Sequence, residues 1–178
     1  MTSINGISIK SVKTFRDHEG APIAQGNVYL NNKKIGFWSQ DSWGGPDIFE
    51  DCEDVIQEQA KTFAKGYPKD RKYSSFQDSP EIFMCNLLEL TENEKEYKKF
   101  AKAGRPHCIF TLDGLHIRIC SFATAEECDY AMKDKTCQEE IRKGMFQDDD
   151  RIKQYVMHSL NDFQIVVDEN HPAPESVW

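Results

Sequence analysis

The sequence holds no apolar run of about 18 residues, so no transmembrane helix is expected. Its opening, Met1-Thr2-Ser3-Ile4-Asn5-Gly6, has neither a basic nor an apolar leader segment, which excludes a recognisable secretory signal. No two of the six cysteines, Cys52, Cys85, Cys108, Cys120, Cys128 and Cys137, form a CxxC pair. They are therefore read as reduced thiols of a cytoplasmic protein. Neither GxSxG nor HExxH occurs, and neither GxxxxGK[ST] nor GxGxxG. Repeats and long low-complexity tracts are absent too. The chain is not excluded from catalysis, because triads assemble in space, but no sequence feature points to it.

What is present is acid. The 178 residues carry 30 Asp+Glu against 22 Lys+Arg, a net charge of −8. The charge is uneven: residues 1–46 are slightly basic, residues 47–58 hold six acids and no base, and residues 148–178 are acidic again. Binding to nucleic acid rests largely on phosphate neutralisation, so direct nucleic-acid binding is not expected. An acidic surface suits a basic partner, or simply solubility. At 39% hydrophobic residues the chain is apolar enough to fold.

The pattern predicts one α+β domain over 1–170 and a loose tail over 171–178. Residues 7–15, 23–30 and 33–39 read as an antiparallel meander, with Asn31-Asn32 as a two-residue turn. That turn would pair Val28 with Ile35 and Gly26 with Phe37, putting Ala24, Val28, Ile35 and Phe37 in the core and Trp38 on the other face. A later hairpin is predicted over 107–120 around Asp113-Gly114, with Phe110 opposite Ile117. Four to five helices are expected to pack on the sheet. The first starts at Pro46 with Ile48, Cys52, Val55, Ile56 and Phe63 on its apolar stripe. A second starts at Ser79-Pro80 and restarts at the Thr91/Glu94 capping box. A third opens at Thr124/Glu127 and runs to about Lys143. A short helix follows, carrying Ile152, Tyr155, Val156 and Leu160, and a last strand covers 163–167.

Four groups of residues are candidate sites. The acidic helix start, Asp47, Glu50, Asp51, Asp54 and Glu58, would present carboxylates to a basic partner; its bland counterpart is a solvated face with favourable N-terminal charge. Asp148, Asp149 and Asp150 carry the same two readings. The Trp38–Pro46 stretch, with Trp38, Asp41, Trp43, Gly44 and Gly45, is the alternative site for a small molecule or nucleotide, and a hydrolytic activity would be placed there. Its counterpart is a strand-to-helix turn covered by tryptophans. Lys61, Lys65, Lys69, Arg71 and Lys72, interleaved with Phe63, Tyr67 and Tyr73, form one basic-aromatic patch, read as a solvated loop rather than a nucleic-acid surface. His107, His116 and Cys120 would be neighbours on the later hairpin. A zinc site needs four ligands, or three plus water, so no metal and no cofactor are expected there.

The segment Ile9–Phe15, the hairpin Gly26-Asn-Val-Tyr-Leu-Asn-Asn-Lys-Lys-Ile-Gly36 and the turn Asp41-Ser-Trp-Gly-Gly-Pro46 together resemble the opening of small uncharacterised bacteriophage and mobile-element accessory proteins. Asn32 stands where that pattern has Gly. The resemblance covers the first quarter of the chain and implies no catalytic residues. It implies an accessory setting in which a small acidic protein binds and blocks another macromolecule. The resulting expectation is a non-enzymatic interaction protein, an inhibitor of a host defence complex, whose partner is a protein or protein–nucleic acid complex with a basic surface.

Overall fold

The computed structural model describes residues 2–66, 78–104, 106–111, 117–146, 155–157 and 163–171. Its larger sheet is built from β1 (Ser3–Ile4), β2 (Ile7–Arg16), β3 (Pro22–Leu30), β4 (Lys33–Ser39), β5 (Ile48–Glu50) and β9 (Gln164–Ile165). The spatial order is β5-β4-β3-β2-β1-β9. Neighbours are antiparallel except β1 and β9, which run parallel. A second, antiparallel sheet has the order β7-β6-β8, from β6 (His107–Thr111), β7 (Ile117–Ser121) and β8 (Tyr155–Met157). Four helices complete the α+β fold among the described residues: α1 (Glu53–Lys65), α2 (Pro80–Lys102), α3 (Ala125–Lys133) and α4 (Lys135–Phe146).

The meander forms as the turn chemistry demands. Asn31 and Asn32 both sit at positive φ, 47° and 70°, which suits a two-residue hairpin turn. Asn5 and Gly6 make a second such turn, at 50° and 78°, between β1 and β2. The face assignment on β4 differs from the simple register. Tyr29 pairs with Lys34 but Val28 pairs with Gly36, so Ile35 is a bulge. One extra residue reverses every later side chain. Trp38 is consequently fully buried in the core, and Phe37 lies on the opposite face beside Asn27. Gly36 is required at that point, because a Cβ there would stand 2.1 Å from the Glu50 carbonyl oxygen. A second bulge, between Lys10 and Lys13, includes Ser11 at φ 55°.

The core joins the inner face of the sheet to α1 and α2. Ile4, Ile7, Ile9, Val28 and Trp38 meet Ile56, Ala60 and Phe63 of α1 and Phe83, Met84, Leu87 and Leu90 of α2. Phe63 and Phe83 cross edge to face with centroids 5.6 Å apart, a favoured aromatic geometry. Phe163 and Val167 close the core from the far end of the chain.

Several elements depart from the sequence pattern. Residues 48–50 are a strand, and the first helix starts only at Glu53. The reason is that Phe49 joins the core beside Trp38, while Ile48 remains 50% exposed. α2 is unbroken through Thr91, whose hydroxyl donates to the Leu87 carbonyl at 2.7 Å instead of capping a new helix. The helix opened by Thr124 divides at Asp134, whose carboxylate accepts from the Cys137 amide at 2.7 Å. Tyr155–Met157, predicted helical, pairs with β6. A three-residue apolar run fits either period, and the sheet edge decides it. On the later hairpin Phe110 opposes Arg118, one residue out of the predicted register. Its turn, Asp113-Gly114 included, lies outside the described residues, as do Asp148–Asp150, His116 and residues 67–77 and 172–178.

Candidate functional site

The acidic segment does not form the helix face that its sequence suggests. Asp47, Glu50 and Asp51 precede α1, while Glu53, Asp54 and Glu58 lie on it. What forms instead is an acidic sheet edge. β5 is the terminal strand of its sheet, and its outer side pairs with no strand among the described residues. An edge strand presents free backbone donors and acceptors. Ile48 and Glu50 are exposed on the face away from the core, next to Ser39 and Phe37 of β4. Asp51, at φ 62°, then turns the chain into α1, where Glu53, Asp54 and Glu58 are exposed. Among the described residues none of these five carboxylates forms an ion pair.

Asp47 stands apart from them. Its carboxylate accepts the indole N–H of Trp38 at 2.7 Å, the one polar atom of an otherwise apolar buried ring. Burial pushes the Asp47 carboxyl above the usual carboxylate range. The indole hydrogen bond opposes that shift, and Glu81 and Asp41 reinforce it. Asp47 is thus a structural ligand of the core tryptophan rather than part of the presented acid. Cys52, at the same junction, donates to the Phe37 carbonyl at 3.5 Å. Burial pushes its thiol up, which leaves it a poor nucleophile.

The loop after β4 is organised by Asp41. Its carboxylate accepts from the Trp43 amide at 3.2 Å and from the Gly45 amide at 2.7 Å. A phosphate would need those same N–H groups, and it would meet a carboxylate already there. Of the two tryptophans in the segment only Trp43 faces solvent, at 75% exposure. Its ring stacks on His18, with centroids 4.7 Å apart, and His18 Nδ1 is 2.6 Å from the Ser42 carbonyl oxygen. Gly44, at φ 77°, permits the turn.

The later hairpin separates the other candidates. His107 opposes Ser121 and Cys120 opposes Cys108, so His107 and Cys120 point to opposite faces. The His107 ring rests against Tyr97 and Phe100, at 5.2 and 6.0 Å between centroids. Among the described residues no group of three His, Cys, Asp or Glu side chains gathers as a metal site. In the basic-aromatic stretch Phe63 is fully buried and Lys61 and Lys65 are exposed, while its other members lie outside the described residues. No described helix is long and apolar enough to cross a membrane. No protein-family model, no curated protein and no solved structure matches the chain.

Proposed function

We propose that the chain is a non-enzymatic cytoplasmic interaction protein that captures a partner of basic surface along the β5 edge. The observation that carries this reading is the coincidence, among the described residues, of a strand edge that pairs with no other strand and five exposed carboxylates without an ion pair, Glu50, Asp51, Glu53, Asp54 and Glu58. Main-chain hydrogen bonds to an added strand supply affinity, and alternate side chains supply selectivity. The carboxylates steer a basic segment to the edge and speed its arrival. The partner in this reading is a protein or protein–nucleic acid complex, and the resemblance of the first quarter to phage accessory proteins favours inhibition of a host defence complex.

The test uses a short unstructured peptide of alternating Lys and Val, followed by fluorescence anisotropy at several salt concentrations. The full chain is expected to bind it with an affinity that falls with salt. Glu50→Lys with Asp54→Lys should weaken binding about tenfold or more, because each reversal replaces attraction with repulsion. Equal affinity in that double variant, with its melting temperature unchanged, would remove the edge from the function.

A further inference from the structure

The opposite side of the sheet from β5 carries a second feature. The two Asn-rich turns lie side by side there, joined by a hydrogen bond from the Asn31 amide to the Gly6 carbonyl at 3.0 Å. β9 docks parallel to β1 next to them. Between the turns and β9 opens a cleft of about 350 Å³. Its walls include Asn31, Asn32, Gln164, Ile165 and Val166, and Ser8 lines it as well. Ser8 is only 2% exposed, and among the described residues no group hydrogen-bonds its hydroxyl.

We propose that this cleft binds a neutral, hydroxyl-rich small molecule of monosaccharide size. Among the described residues every side chain lining it is uncharged, in a molecule where 29% of residues are charged. A phosphate or carboxylate ligand would therefore lose its hydration without meeting a cation. Among the described residues no aromatic ring lines the cleft, so a nucleobase would lack there the stacking surface that its recognition normally uses. The side-chain amides of Asn31, Asn32 and Gln164 each offer donors and an acceptor, and serine hydroxyls do both. A sugar hydroxyl also donates and accepts, so it is matched by this set. The exposed Val166 and the adjacent Ile165 supply an apolar patch for the C–H face of a sugar ring. A buried hydroxyl without a partner is costly, and a ligand oxygen that reaches Ser8 relieves that cost. The volume lies at the small end of the range for small-molecule sites, which matches one ring rather than an oligosaccharide.

The full chain, labelled with ¹⁵N, is titrated separately with D-glucose, D-galactose and N-acetyl-D-glucosamine, with D-glucose 6-phosphate as the charged comparator. At least one neutral sugar should produce saturable shifts in the side-chain amides of Asn31, Asn32 and Gln164. Gln164→Leu, at an exposed strand position, should weaken that binding roughly tenfold while the melting temperature holds. Asn32→Asp keeps a side chain suited to positive φ and should give the same loss. The proposal is overturned if none of the neutral sugars moves those amides. It is equally overturned if the shifts persist unchanged in both variants, or if the phosphorylated sugar binds more tightly than the neutral ones.

Discussion

At the scale of single residues, Asp47 has the most to explain. It holds the indole of Trp38 from a half-buried position where its own charge is disfavoured. Because its carboxyl is raised in the folded state, its contribution is largest below the ordinary carboxylate range and is lost as pH rises through the raised value. Asp47→Asn keeps an acceptor for the indole and removes the charge. It is expected to melt at least as high as the parent at neutral pH, and that advantage should vanish as the pH falls below the carboxylate range. Asp47→Ala leaves the buried N–H unpaired and should cost about 1–3 kcal/mol, measured by urea unfolding. Nothing local in the sequence marks this pair; nine positions separate Trp38 from Asp47, and only the return of the chain along β5 brings them together.

At the scale of elements, the seam between β4 and β5 decides what the acidic segment becomes. Gly36 lets the Glu50 carbonyl and Cys52 approach closely, and the Ile35 bulge delivers Trp38 to the core. Gly36→Ala would force backbone apart rather than a flexible side chain, and a destabilisation of about 1–3 kcal/mol is expected. Hydrogen exchange should locate the damage: the amides of β4 and β5 exchange faster, and those of α3 do not. The turns at Asn31-Asn32 and the caps at Ser79 and Thr124 were legible because positive φ and orphan helix amides are satisfied locally. Asn5-Gly6 carries an equally strong turn signal, but β1 is two residues long, too short for any periodicity to reveal a strand.

At the scale of the whole molecule, the chain closes on itself through β1 and β9. The Asn5 side chain donates to the Val167 carbonyl at 2.9 Å and accepts from the Val167 amide at 2.8 Å, 162 residues away. The Asn5 amide adds a bond to the Ile165 carbonyl at 2.8 Å. Asn5→Asp tolerates the positive φ but takes the donor from the Val167 carbonyl. Faster exchange of the Val167 amide, a lower melting temperature and a cost of about 1–3 kcal/mol are expected. If the Val167 amide exchanges no faster than in the parent, the clasp is not what holds the C-terminal strand. Gln164 of β9 also lines the cleft, so the same variant should disturb its amide resonances.

The sequence by itself determined the α+β class, the meander with its Asn turn, the helix starts at Ser79 and Thr124, and the concentration of acid in residues 47–58. Each of these follows from chemistry between residues a few positions apart. Tertiary structure alone decided that the acid lies along a sheet edge rather than a helix face, that Trp38 and not Phe37 enters the core, and that two turns and a C-terminal strand enclose a cleft. Those outcomes depend on register, and a register is chosen by the side chains across the pairing, which lie far away in the chain.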